Sequence, residues 1–215
     1  MPDQWRYDWD GNNDEIHMNI PNLRRIQRSG TRFSQAYVAS PVCGPSRSCM
    51  ASLREYDDCG VATNDANDYD INIPTYFQLL QDKGYHTMST GKDDLTKHTQ
   101  LGYTIGIGTH NASDTYLQSE LGFSDAIRYC GKEDVINTFP NPHEPYGYHL
   151  NSSTVTLANG TTVNAFLAHH DCIKNIINTE SSLCEPSTYP QELYEDDYTK
   201  DNTITLIERA PEETP

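Results

Sequence analysis

The stretch Ser40-Pro41-Val42-Cys43-Gly44-Pro45-Ser46-Arg47 decides how this chain is read. A proline in the first turn of a helix gives up an N–H that would have had no partner, so Pro45 predicts a helix running through Met50 and Leu53. Cys43 stands just ahead of it, where free N–H groups and the helix dipole favour an anion. Arg47 lies one turn on, able to face the same point with a planar cation. Two readings are open from these residues alone. Cys43 is a nucleophile in a cationic niche, or it is a structural cysteine, buried or paired with Cys49 or Cys59.

Upstream, Asn19-Ile20-Pro21 opens a helix that carries Leu23 and Ile26 and stops at Ser29-Gly30. Thr31 to Val38, with Phe33 and Tyr37, predicts a strand. Downstream, Pro74 opens a third helix with an apolar stripe of Tyr76, Phe77, Leu79 and Leu80, closed by Gly84; Tyr85-His86-Thr87-Met88 then predicts a second strand. Helix, strand, helix, helix, strand with short connections is the pattern of an α/β sheet, not of a sandwich. Leu101 to His149, frequent in Gly, Asn, Pro and His, reads as long surface loops. Thr154 to Leu157 and Thr161 to Val163 flank Ala158-Asn159-Gly160, a hairpin signal in which Asn-Gly supplies the positive φ of a tight turn. A final helix spans Tyr194 to Glu208, offering Tyr198, Ile204 and Leu206 to a buried face.

Composition bounds the function. The 215 residues, 35% apolar and 21% charged, suit one domain and exclude a disordered chain. No stretch approaches the roughly 20 apolar residues of a membrane span. With 15 Lys+Arg against 31 Asp+Glu the net charge is −16, which repels a phosphate backbone, and no basic patch offsets it, so nucleic acid is excluded as a partner. Ten acids against two bases lie between Glu180 and Pro215, a solvated face. The sequence has 6 cysteines, of which Cys172 and Cys184 flank a Ser/Asn/Thr loop and are expected to form a local disulfide. Sequons at Asn111, Asn151 and Asn159 beside cysteines point to the secretory pathway, extracellular or lysosomal-like, although Met1-Pro2-Asp3-Gln4-Trp5-Arg6 shows no signal peptide. The 8 histidines, His110 and His169-His170 among them, lack the spacing of a zinc site.

Pro21-Asn22-Leu23-Arg24-Arg25-Ile26, then Gly30-Thr31-Arg32-Phe33-Ser34-Gln35-Ala36-Tyr37, leading into Cys43-Gly44-Pro45-Ser46-Arg47, resembles the opening of the type I sulfatase family, in the alkaline-phosphatase-like superfamily. Gly84-Tyr85-His86-Thr87 and Thr90-Gly91-Lys92 resemble that family's next strand, which ends in a Gly-Lys pair at the active site. The likeness continues weakly through the Asn159-Gly160 hairpin and Asp197-Tyr198-Thr199, and its specific part is Cys-x-Pro-Ser-Arg. It implies that residues 1–215 are the N-terminal part of one catalytic domain of the alkaline-phosphatase-like α/β fold. In that fold the chain is expected to be incomplete, lacking the first sheet strand and the C-terminal half, with a loop-rich insertion at about 101–150 and a hairpin at about 153–164.

The resemblance also implies a mechanism. A formylglycine-generating enzyme would oxidise Cys43 to formylglycine, whose hydrate attacks the sulfur of a sulfate-ester substrate; its second hydroxyl then expels sulfate, which a plain thiol could not do. Arg47 would stabilise the hydrate, and Lys92 would neutralise sulfate oxygens as charge develops. Calcium, the usual divalent metal, would be held by Asp3, Gln4 and the modified Cys43. Two departures stand out. Asp3-Gln4 occupies a place where many members have two acids, and as a bare terminal acid Asp3 needs no role at all. Asp94 stands where the family often has His, and an ionised carboxylate cannot donate the same hydrogen bond. With later metal ligands missing, weak or absent activity of the chain alone is expected. A carbohydrate sulfate is the expected substrate. The alternatives are a phosphonate or phosphodiester hydrolase of the same superfamily, motivated by Asp3-Gln4 and Asp94, and a non-catalytic secreted glycoprotein module in which Cys43 is structural.

Overall fold

Strands β1 (Met88–Gly91) and β2 (Asp125–Arg128) run parallel, with Met88 opposite Asp125 and Gly91 opposite Arg128. They belong to a computed structural model that describes residues 5, 7–9, 18–64, 68–95, 119–129, 131, 134–142, 144–178 and 189–212. The chain divides into two units, Met1–Val38 and Ala39–Pro215.

In the first unit, α1 (Pro21–Ser29) starts with proline in its first turn and ends where the Ser29 hydroxyl donates to the carbonyls of Arg25 and Ile26. Arg32 donates to the Tyr7 hydroxyl at 3.2 Å and lies over that ring. The strand expected at Thr31 to Val38 does not form. Phe33 and Tyr37 are 75% and 91% exposed, and β propensity without a pairing strand supplies no ladder of hydrogen bonds.

The second unit holds the site. Its first helix, α2 (Cys43–Ser52), is followed by α3 (Tyr76–Gln81). The start of α3 is a capping box one residue beyond the expected Pro74: Gln78 N–H donates to Thr75 Oγ1, and Thr75 N–H donates to Gln78 Oε1. Thr75 Oγ1 in turn donates to the Leu121 carbonyl at 2.7 Å. Gly122 allows this approach, because at φ +89° a Cβ would stand 2.3 Å from the Gln78 nitrogen. The following strand begins at Met88 rather than Tyr85, because only Met88 to Gly91 find partners on β2.

Residues 101–150 were expected to be surface loops, and among the described part of that span this is corrected. It carries β2, a 3-10 turn at Val135–Thr138 and α4 (Pro145–Asn151). It also supplies the core residues Leu121, Phe123, Ala126, Tyr129, Val135, Ile136, Tyr146 and Leu150, all buried. Glu144 drives α4 locally, its buried carboxylate accepting from the N–H groups of Tyr146 and Gly147 at the helix start. β3 (Thr154–Thr156) and β4 (Thr162–Asn164) pair antiparallel, Val155 opposite Val163, across a turn in which Gly160 has φ +83°. Helix α5 (Ala165–Asn178) buries Phe166 and Ile173 against that region.

The last helix, α6 (Glu195–Arg209), lies against β1 and β2. Arg209 makes a bidentate pair with Asp125, and Leu206 is buried. Ile204, expected on the buried face, is 46% exposed, and Tyr198 is half-buried against Tyr129 and Tyr146. No helix among the described residues is long and apolar enough to cross a membrane.

Candidate active site

Three loops and helix ends converge where β1 stops. Val42 keeps an extended backbone and α2 begins at Cys43, so the cysteine occupies the first turn with its side chain part-exposed. Behind it the helix is buried at Gly44, Pro45, Arg47 and Ser48. The Gly44 N–H, one of the donors that a helix start leaves unpaired, is taken by Asn64 Oδ1 at 2.7 Å.

Gly91 ends β1 at φ +82°, and a Cβ there would meet the Tyr129 hydroxyl at 3.3 Å. The chain then turns through Lys92, Asp93 and Asp94, the last at φ +57°, a left-handed backbone uncommon outside glycine. This turn sends Lys92 Nζ to within 3.9 Å of Cys43 Sγ. The stem of Lys92 runs over Gly131, where a Cβ would come within 3.4 Å of it.

Arg47 reaches the same turn from α2. Its Nη1 donates to the Lys92 carbonyl at 2.5 Å, and its Nε lies 3.9 Å from Asp94 Oδ2. Lys92 Nζ lies 3.4 Å from the same Asp94 oxygen. The side chains of Arg47 and Asp94 are 10% and 9% exposed, that of Lys92 21%. The turn is clamped from below by Asp93, whose Oδ1 accepts from the Leu95 N–H at 3.1 Å and from Arg128 Nη2 at 2.8 Å, while Arg128 Nε approaches Oδ2.

The arrangement brings Lys92 to Cys43 and ties Arg47 to the Lys92 backbone. Asp3 and Gln4 lie outside the described residues. Among the described residues no group of three His, Cys, Asp or Glu side chains is placed to hold a metal ion, so two cations and one carboxylate beside Cys43 do not by themselves make a cation site. Cys43 is a free thiol, as are the buried Cys49 and Cys59. Burial, then a hydrogen bond that its S–H donates to Cys59, pushes the Cys49 thiol up to about 11. Cys172 lies exposed on α5, and Cys184, its expected disulfide partner, lies outside the described residues. Of the sequons, Asn151 and Asn159 are exposed at the end of α4 and in the hairpin turn, and Asn111 lies outside the described residues.

Sequence reasoning missed Asn64, Asp93 and Arg128. Each acts through a partner 20 or 35 residues away, which no local pattern signals.

Comparison with known proteins agrees with the geometry. The family profile "Sulfatase" matches residues 1–210. An N-acetylglucosamine-6-O-sulfatase of Bacteroides thetaiotaomicron is 33% identical over 101 residues, 46% of this chain and 18% of that protein. A choline-sulfatase of Rhizobium meliloti is 35% identical over 92 residues, 43% of this chain and 17% of that protein. Human arylsulfatase K is 32% identical over 120 residues, 55% of this chain and 22% of that protein. The chain thus spans about a fifth of the length of these curated relatives.

Proposed function

This chain belongs to the sulfatase family, and from that premise we propose that it works as a sulfuric ester hydrolase whose nucleophile is made from Cys43. The observation that carries the reading is the meeting of Cys43 Sγ and Lys92 Nζ at 3.9 Å, where a helix start and a strand end converge. Formylglycine at position 43, once water has added across its aldehyde, would supply two hydroxyls on one carbon: one attacks sulfur as the alcohol leaves, and the other loses its proton to re-form the aldehyde as sulfate departs. The free, part-exposed Cys43 suits that conversion, since no disulfide or buried packing ties up its sulfur.

The chain's own residues do the rest. The Lys92 ammonium stands where sulfate oxygens would gather charge, in a niche largely closed to water, where such a charge acts more strongly than in solution. Arg47 fixes the Lys92 backbone through its carbonyl and adds a second positive charge. Asn64 holds the turn that presents Cys43. A divalent metal such as calcium would draw on Asp3, Gln4 and the modified Cys43, and the described residues do not make that site.

The parallel β1–β2 pair with α6 against it supports the alkaline-phosphatase-like fold. The relatives act by name on N-acetylglucosamine-6-O-sulfate, choline sulfate and aryl sulfates, so the sulfate ester is their common element, and a carbohydrate sulfate is the substrate class we assign. Exposed Asn151 and Asn159 support a secretory-pathway location. A phosphodiester hydrolase is the second reading, favoured by the Asp94 carboxylate between the two cations.

The test is mass spectrometry of the peptide containing Cys43 after production with formylglycine-generating enzyme, alongside hydrolysis of an aryl sulfate. A loss of about 18 Da at Cys43 and sulfate release are expected. An intact thiol and no release would overturn the reading.

A further inference from the structure

A strap of chain follows α2 and returns along it. Residues 53–58, which include a 3-10 turn at Tyr56–Asp58, are all exposed. Cys59 then turns inward and is fully buried, while Gly60, at φ +75°, makes a bend that a side chain would strain. Cys59 meets Cys49 of α2, itself only 5% exposed, and with Val61 the two form a buried cluster apart from the two larger cores. The strap goes on to Asn64, which accepts from the Gly44 N–H. Helix and strap thus meet at two places, Cys49 with Cys59 and Gly44 with Asn64, and run antiparallel between them.

The sulfurs of Cys49 and Cys59 face each other. The Cys49 S–H donates to Cys59, and the Cys59 S–H donates to the Val61 carbonyl at 3.7 Å. A cluster of three residues buries little apolar surface with which to hold a strap that is otherwise exposed. A covalent link between the two that already touch would close a short loop and remove freedom from the unfolded chain. Cys43 is no rival partner. Six residues ahead of Cys49, it points to another side of the helix, toward Lys92.

We propose that Cys49 and Cys59 are a disulfide-forming pair whose bond ties the strap to the helix that carries Cys43. Only the oxidant depends on the secretory-pathway reading. The step is thiol–disulfide exchange: the thiolate of one cysteine attacks a carrier disulfide, whose far sulfur leaves, and the second cysteine displaces the near one. Two S–H bonds give way to one S–S bond, and the carrier takes two electrons and two protons and departs as two thiols. Burial, the first cause of the raised Cys49 thiol, makes thiolate scarce once the strap is closed. The bond therefore forms as the strap folds down, and burial of both sulfurs then shields it from reductant.

The test is a disulfide map of the full chain, alkylated under denaturing conditions without prior reduction. Trypsin places Cys43, Cys49 and Cys59 in separate peptides, residues 33–47, 48–54 and 55–83. Peptides 48–54 and 55–83 are expected as one linked species, about 2 Da below the sum of the two thiol forms, with Cys43 in neither. Two samples are mapped, chain secreted by cells and chain refolded in reduced and oxidised glutathione. Linkage in both is expected. Linkage only in the glutathione sample keeps the pair and sinks the secretory location. Alkylation of Cys49 and Cys59 in both samples, or linkage of either to another cysteine, overturns the proposal. In Cys49→Ala, Cys59 should become fully alkylated; if that variant does not fold, the map of the unaltered chain decides alone. No readout requires sulfate hydrolysis, so the pair stands or falls separately from the sulfatase reading.

Discussion

Lys92 Nζ stands 3.9 Å from Cys43 Sγ although 49 residues separate them, and Arg47 secures the meeting from within α2 by donating to the Lys92 carbonyl. A helix start and a strand end are rigid places from which to bring a nucleophile and a cation together. The ammonium is therefore positioned before any substrate arrives, which is the condition under which a fixed charge lowers a barrier.

Replacing Lys92 by Ala is expected to lower kcat/KM for an aryl sulfate by about a hundred- to a thousandfold, with most of the loss in kcat. Lys92→Arg should not restore it. A planar guanidinium cannot take the place of a compact ammonium beside Arg47, which already fills the deeper position. Steady-state kinetics on matured protein decide this, and a Lys92→Ala enzyme of unchanged kcat would remove the residue from the chemistry.

Asn64→Ala leaves the buried Gly44 N–H without its side-chain acceptor at the start of α2. A cost of about 1–3 kcal/mol is expected, read as a lower urea midpoint at unchanged slope. Asn64→Asp keeps an acceptor and adds a negative charge at a helix N-terminus, so it should recover most of that loss.

How far the site was legible follows from the range of its interactions. Cys43, Pro45 and Arg47 obey rules that operate within one helical turn, so the start of α2 and its anion-favouring end could be read directly. Lys92 could be reached only through family likeness, because nothing in Thr90-Gly91-Lys92 says what it will face. Asn64 and the Asp93–Arg128 pair were out of reach, since each is defined by a distant partner. The same holds for β2: Asp125-Ala126-Ile127-Arg128 has neither alternation nor length, and is a strand because β1 is beside it. Conversely, Thr31 to Val38 has strand propensity and no partner, and it stays irregular.

The Asp93–Arg128 pair is the clamp under the Lys92 turn, with side chains only 12% and 9% exposed. Arg128→Met strands a carboxylate in a nearly dry place and is expected to cost about 3–5 kcal/mol. Adding Asp93→Asn removes the stranded charge and should return part of the loss, so that the double substitution costs less than the sum of the two single ones in a double-mutant cycle measured by denaturant unfolding. Strict additivity of the two substitutions would show that the pair is not coupled.

Alkaline pH should unfold the protein from its core. Burial pushes the Tyr69 phenol up to about 12 and raises Tyr129, Tyr146 and Tyr189 above the ordinary tyrosine value as well. The Cys49 thiol is shifted the same way, to about 11. In each case the neutral, protonated form is the one the folded core holds. Below the unfolded values, about 10 for tyrosine and near 9 for this thiol, both states keep their protons and this contribution to stability is whole. Above them the unfolded chain sheds protons that the folded chain retains, so stability falls as pH rises from about 9 toward 12. Tyrosinate absorbance from the buried phenols should accordingly rise in one cooperative step that coincides with loss of near-ultraviolet circular dichroism. A smooth titration of every tyrosine near pH 10 with the dichroism intact would contradict the packing of Tyr69, Tyr129 and Tyr146 described here, because a phenol that ionises inside the folded protein must have water beside it.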